Sequence, residues 1–312
     1  MSESHGLPSH TPFTLRPFQN ADAEAVAQLV TDSVRGHWSY NAEQFQEDVQ
    51  PDRLRWVAEQ GGRVVAMARL APFGSGAPDA LRLDLAGDGA AFTPLYLALL
   101  GRLPAGFTRL LGVTREDWPE QMGFFGAAGF RNAWQSWGAH LDLAGFEFLP
   151  YQPLEERLFL DGYEVERLEQ DAEDSDWAAL HTLYEQGSAD APRNPTTTPD
   201  VLNAAELRDM VRREEVAFVV RWRGQIVAST RLTPRGTEVE TEHTVTHAAH
   251  RSRGLATLVK ARALAWAKAE GFLAAGTGGT VLNLPMLRVN ARLGYVPEPM
   301  WVTWERGLVG LV

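Results

Sequence analysis

No cysteine occurs anywhere in the 312 residues. Disulfides, thiolate metal sites and a cysteine nucleophile are excluded together. No run of about 18 uninterrupted apolar residues occurs either, which excludes a membrane-spanning helix. Basic residues are outnumbered, 29 against 40 acidic, for a formal net charge of −11. A protein that grips a phosphate backbone carries a basic surface, so the balance argues against nucleic acid as a main partner. The excess acid serves solubility first and attraction of cationic substrates second. Residues 1–12 lack the basic start and apolar core of a secretory signal and read as a flexible tail. A cytoplasmic protein is expected. With 45% hydrophobic and 22% charged residues the chain is globular. At about 100–200 residues per domain, its length predicts two domains.

What the sequence does contain is a repeat. Phe13 to Asp22 is matched loosely by Tyr163 to Ala172, each alternating like a strand before an acidic, alanine-rich helix start. Gly62-Arg-Val-Val-Ala66 with Arg69 and Leu70 is matched by Gly224-Gln-Ile-Val-Ala228 with Arg231 and Leu232. Each follows an apolar run and reads as the second strand of a hairpin. Ala128-Gly-Phe130 is matched by Leu293-Gly-Tyr295, each closing a helix on glycine. Three matches in one order predict two copies of one fold, at 13–150 and 151–312, joined at the proline-bearing link Leu149 to Pro153. The order of elements predicts a mixed α/β class: in each domain a central, mostly antiparallel sheet flanked by helices. The proline-containing stretch Ala191 to Pro199 reads as a surface loop, with substrate contact as the alternative.

The most informative segment runs from Glu238 to Tyr295. Glu238 to Thr246 alternates and is rich in β-branched residues, so it reads as a strand; a helix from Thr257 to Glu270, ended by Gly271, follows a turn containing Arg251, Ser252, Arg253 and Gly254. Strand, glycine turn and helix N-terminus make an anion site, because the first helical N–H groups are unpaired and the helix dipole is positive there. A P-loop is excluded for want of Gly-Lys-Ser/Thr. A dinucleotide fingerprint is excluded because Gly276-Thr-Gly278 is followed by Val281 where its last glycine belongs.

The remaining pattern, Arg251-x-x-Gly254-x-Ala256, resembles the acyl-CoA pyrophosphate signature of the GCN5-related N-acetyltransferase family. So does its setting, Thr244-Val-Thr246 to Leu255, and the ending Asn283-x-x-Met286-Leu287-x-x-Asn290-x-x-Leu293-Gly294-Tyr295 is similar to that of the family's tandem members. The resemblance implies two tandem domains of that fold and direct transfer of an acetyl group from acetyl-CoA to a primary amine, in the C-terminal half. It implies that Thr244, Val245 and Thr246 pair with the pantetheine arm and that backbone from Arg251 through Ser252, Arg253, Gly254, Leu255 and Ala256 to Thr257 receives the pyrophosphate, with Asn283 and Asn290 also at the cofactor. No metal is implied; two histidines, His247 and His250, without carboxylates at metal spacing make a poor metal site. Glu240 stands where some relatives carry a general base, Glu242 shares its face by alternation, and His243 joins them if a bulge re-aims it. The alternative for each is a charged residue on a half-exposed strand.

Two departures stand out. The tyrosine that protonates the departing thiolate in many relatives is replaced by Asn290, which has no acidic proton; Tyr295 and Tyr184 are the alternatives. The first half lacks the signature altogether: Ala86 to Pro94 carries Asp88, which repels phosphate, and Phe125 stands at the tyrosine position. That half reads as a degenerate copy, its aromatic run (Trp118, Phe124, Phe125, Phe130, Trp134, Trp137) as core. Trp301 and Trp304 read as sheet packing, with an acceptor pocket as the alternative. A small-molecule amine is the expected acceptor and the expected state is a monomer or homodimer. A non-catalytic acyl-CoA sensor or scaffold, and transfer of a longer acyl group, are the competing readings.

Overall fold

The computed structural model describes residues 13–308 except 37, 47–52, 75 and 193–201. The N-terminal tail and most of the stretch Ala191 to Pro199 therefore lie outside the described residues. In chain order the elements are β1 (Thr14–Pro17), α1 (Ala23–Ser33), β2 (Leu54–Gln60), β3 (Arg63–Pro72), β4 (Ala80–Gly87), α2 (Phe92–Leu100), β5 (Arg109–Arg115), α3 (Pro119–Ala127) and β6 (Arg131–Asp142). There follow α4 (Gln152–Leu160), β7 (Tyr163–Arg167), α5 (Asp174–Asp190), α6 (Ala204–Glu214), β8 (Val216–Trp222), β9 (Gln225–Arg235), β10 (Glu238–Thr246), α7 (Leu255–Ala269), β11 (Ala274–Thr280), α8 (Leu284–Leu293), β12 (Val296–Pro297) and β13 (Trp301–Gly307).

Two compact units divide the chain: Met1–Gln135 with Trp301–Val312, and Ser136–Met300. The second unit thus begins ahead of the 150/151 boundary expected from the repeat, and the last strand belongs to the first unit. Leu149 to Pro153 is no extended link. Its prolines stand in the first turns of a 3₁₀ turn and of α4, where a missing N–H costs nothing.

In the first unit the strand order is β1-β2-β3-β4-β5-β13, antiparallel except for β4 and β5. In the second it is β6-β11-β10-β9-β8-β7, antiparallel except for β10 and β11, with β12 against β6. Each unit therefore repeats one plan around one parallel pair.

Alternation along β8 sorts the core of the second unit. Phe218 and Val220 face α7, while Ala217 and Val219 face α5 and α6. Leu255, Leu258, Val259 and Leu264 of α7 are buried against Val239 and Ala275; each full burial of such a side chain contributes about 1.5–3 kcal/mol. On the other face Trp177, Leu180 and Leu183 of α5 cover Ile226. Both faces of this sheet are thus covered by helices.

In the first unit Phe124, Phe125 and Phe130 join its core and Trp118 is buried, as the sequence predicted, but Trp134 is only half-buried and Trp137 joins the core of the second unit. Trp304 stacks on Phe125, and Trp301 packs against Trp38 and Trp118.

Candidate functional site

The parallel pair of the second unit comes apart. β10 and β11 pair from Glu238 with Ala274 to Thr241 with Thr277, and no further. Beyond that point β10 follows β9 as far as Thr246, and β11 follows β6 as far as Thr280. The cause lies in β10, whose register against β9 shifts between Glu242 and Val245, with His243 at φ 25°. Such a bulge bends a strand away from its neighbour.

The parting opens a cleft of ≈770 Å³. Of the cofactor residues expected from the sequence, Thr244, Val245, Thr246, Arg251, Ser252, Gly254, Leu255, Ala256, Thr257 and Asn283 line it. Arg253 faces a second, smaller pocket with Trp222 and His250. Asn290 does not line the cleft; it is buried, and neither side-chain polar atom has a hydrogen-bond partner. Arg251 is committed to structure: its Nε donates to the Thr246 carbonyl at 2.9 Å and its Nη2 to Asp190 at 2.5 Å. It ties the end of β10 to the end of α5. His247 and His250 sit in the turn ahead of α7. His250 Nδ1 lies 2.9 Å from the Tyr163 hydroxyl, and among the described residues no cluster of His, Cys, Asp and Glu could hold a metal.

At the head of the cleft α7 begins without a side-chain cap. Its first intrahelical bond runs from Leu258 N to the Gly254 carbonyl, so the N–H groups of Leu255, Ala256 and Thr257 have no partner within the helix. Gly254 has φ 98° and Ser252 φ 62°. Left-handed backbone just before a helix turns successive N–H groups toward one point, an anion-binding nest. A Cβ on Gly254 would also stand 2.9 Å from Leu154 Cδ1. An open helix start, a nest and a slot between parted strands suit the pyrophosphate and extended arm of an acyl-CoA.

Of the catalytic candidates, His243 lines the cleft, its ring 5.8 Å from that of Tyr184. Glu240 and Glu242 stand outside the lining. Glu240 lies against Gly276, where a Cβ would be 2.1 Å from its Oε2; only glycine leaves room for the carboxylate. Burial first and Glu242 second push its pKa up to about 7, against the pull of Lys260. Tyr184, on the cleft wall, shares a hydrogen bond with Ser229 and is pushed up to about 12 by burial. Beneath it Arg231 and Glu215 form a buried ion pair at 2.8 Å, and Glu215 also accepts from Thr233.

Lys260 was not foreseen from the sequence. It lines the cleft from α7, is 1% exposed, and its Nζ donates to Thr277 Oγ1 at 3.4 Å. Burial pushes its pKa down to about 7, partly offset by Glu240. A lysine in a helix rich in Ala, Leu and Arg reads as a surface residue. The signal was its helical spacing, four residues before Leu264 and seven before Ala267, which puts it on the buried stripe.

In the first unit the same parting exists but is filled. β4 and β5 pair only from Ala80 to Arg82. Next to the parting the Phe125 ring packs so tightly on Gly112 that a Cβ there would stand 2.3 Å away. Gln121 reaches in from α3, its Nε2 3.4 Å from the Leu85 carbonyl. At the helix start, Asp88 Oδ1 accepts from Ala90 N at 2.9 Å, so a carboxylate caps this turn where α7 has no side-chain cap.

Residues 176–295 match the Acetyltransferase (GNAT) family. No curated protein matches the chain. A GCN5-related N-acetyltransferase from Sphaerobacter thermophilus shares the fold at a TM-score of 0.61 and 14% identity, over 97% of this chain and 97% of that one. A tandem GNAT protein from the clavulanic acid biosynthesis pathway does so at 0.56 and 20%, over 95% and 98%. A glucosamine N-acetyltransferase region of a fungal multi-domain β-N-acetylglucosaminidase does so at 0.62 and 14%, over 96% of this chain and 38% of that one. Residues 176–295, the segment that carries the parted parallel strands, thus resemble the GNAT family, and the solved structures share the fold. Like the tandem protein, the chain carries two copies of one mixed α/β fold.

Proposed function

We propose that the protein moves an acetyl group from acetyl-CoA directly to a primary amine, at a single site in the cleft of the second unit. The observation that carries this is the contrast between the units. The cleft between β10 and β11 is open and headed by an uncapped helix, whereas its counterpart in the first unit is filled by Phe125, Gln121 and Asp88.

In this reading the N–H groups of Leu255 to Thr257, with the nest at Ser252 and Gly254, hold the pyrophosphate. Backbone of Thr244 to Thr246 pairs with the pantetheine arm, and an N–H there steadies the negative charge developing on the thioester oxygen. One such donor contributes about 2.7–4 kcal/mol to a transition state. Acetyl-CoA supplies the activated acyl group. An alkylamine with a pKa near ~10 arrives protonated and must lose that proton before it attacks. Glu240, raised to about 7, is a base matched to neutral pH. Glu238, Glu242 and Glu298 also bear electrostatically on Glu240, and that acidic face favours a small cationic amine over a neutral or acidic one. We place this chemistry in the cytoplasm. Among the described residues no helix is long and apolar enough to cross a membrane.

Calorimetric titration with acetyl-CoA, followed by thioester consumption across an amine panel, tests the proposal. One site per chain and turnover with cationic amines are expected. Two sites would refute the blocked first unit, and binding without turnover on any amine would leave a sensor.

A further inference from the structure

The sequence holds 29 basic residues, and only two, Lys260 and Lys268, are lysines. Lys268 is at the surface with Glu147. Lys260 is buried at the closed end of the parted strands, its Nζ on Thr277, the last residue of β11 paired with β10. Among the described residues no carboxylate comes within 4 Å of it. A buried ammonium without a counter-ion is costly, and this one lines a cleft. A chain that uses arginine almost everywhere keeps here the one cationic side chain of the two that can release a proton.

Resting on the reading of the cleft as an acyl-CoA site, we propose that Lys260 is the catalytic residue that meets the departing sulfur: its ammonium faces the C–S bond and protonates the thiolate. The lone pair of the free acceptor amine forms a C–N bond to the acyl carbon as the C–S bond breaks; the electron pair of the broken bond passes to sulfur, and a proton moves from Lys260 Nζ to sulfur, leaving a thiol and a neutral lysine amine. The acceptor nitrogen passes its first proton through Glu240 to solvent before it attacks, and its second goes to Glu240 as the amide forms. Glu240 then releases a proton to solvent and Lys260 takes one up, which restores the starting state.

The alternatives are poorer acids. The Tyr184 hydroxyl is bonded to Ser229 and raised to about 12. The Tyr295 hydroxyl is bonded to Thr241 and is pushed up by burial. Against a thiol near ~8.5 both would give up a proton uphill, whereas Lys260, lowered to about 7, gives it downhill. The groups facing Lys260 are Glu240 from β10, Thr277 from β11 and the Tyr295 ring beyond α8, 5.3 Å away.

Two lysines make the test direct. Protein carrying ¹³C in its lysine ε-methylenes gives two side-chain signals, assigned by Lys268→Arg at the surface and Lys260→Met in the cleft. The Lys260 signal is expected to titrate near pH 7 and to shift on saturation with CoA but not with desulfo-CoA, which lacks the sulfur. An equal response to both, or to neither when calorimetry shows both bound, overturns the assignment to sulfur and leaves the cleft reading intact. Failure of CoA and acetyl-CoA to bind overturns both. Lys260→Met is expected to keep acetyl-CoA affinity, to lose roughly 10²-fold in kcat, and to lose the fall in kcat as pH rises through the lysine's pKa. Undiminished kcat refutes the proton donor. Should Lys260→Met fail to fold, the comparison of the two ligands on the Lys268→Arg protein decides alone.

Discussion

Ala256→Asp separates the stability of α7 from its capacity to hold an anion. Ala256 is the second residue of α7, half-buried on the cleft wall beside Gly254. An acidic side chain in a helix's first turn gains about 0.3–1 kcal/mol from the dipole, and aspartate's weaker helix propensity costs a similar fraction, so folding stability should be nearly unchanged. Binding should not be. A carboxylate about 5 Å from a phosphate charge, at an effective dielectric of about 20, is repelled by about 3 kcal/mol. That corresponds to roughly 10²-fold weaker acetyl-CoA binding. Titration calorimetry measures the affinity and thermal unfolding checks the fold. Ala256→Asn, similar in size without the charge, should lose far less, and raising the salt should narrow the gap between the two. A folded Ala256→Asp protein that binds as wild type does would refute the placement of the pyrophosphate at this helix start.

Glu240→Gln should lower kcat/KM by about 10²–10⁴-fold; the wild-type rate should fall as pH drops through about 7, where Glu240 takes up its proton, and that limb should vanish in the variant's pH profile. Lys260→Met should be more stable than wild type below about pH 7 by ~1–4 kcal/mol in denaturant titrations. The folded protein releases the lysine proton near 7, the unfolded chain only near 10.5, so wild-type stability should climb between those values and the variant's should not. Glu215→Ala strands the buried Arg231 guanidinium and should cost about 3–5 kcal/mol in urea unfolding. Phe125→Ala should cost about 3–5 kcal/mol without adding a second acetyl-CoA site by calorimetry, because Gln121 and Asp88 still fill that slot and helix start.

Much of the fold was legible because local chemistry specifies it. The hairpins of β2 with β3 and β8 with β9 follow from alternation and from Gly61–Gly62 and Gly224, all at positive φ. The strand Glu238 to Thr246 came out with its predicted bounds, and α7 began two residues earlier than expected, at Leu255, directly after the left-handed Gly254. The bulge that turns His243 toward Tyr184 was foreseen only as a condition. What the sequence hid were long-range matters. Lys260 looks like any surface lysine until β10 and β11 close over it. The commitment of Arg251 to Thr246 and Asp190 depends on where α5 ends, and the filling of the first unit's slot by Gln121 depends on a side chain brought in from α3. The helix at 152–160 was missed because prolines were read as breakers when they stand at its first turn.

The return of β13 to pair with β5 over seven residues bears on how the protein is made. A ribosome releases residues 13–135 long before Trp301, so for most of translation the first unit waits with β5 as an open sheet edge, a template for any passing strand. The second unit, contiguous in sequence, can fold first, as domains do during synthesis. Its neighbour closes only when this seven-residue strand emerges, and a ribosome that stalls near Met300 would leave a finished second unit attached to an unfinished, aggregation-prone first one.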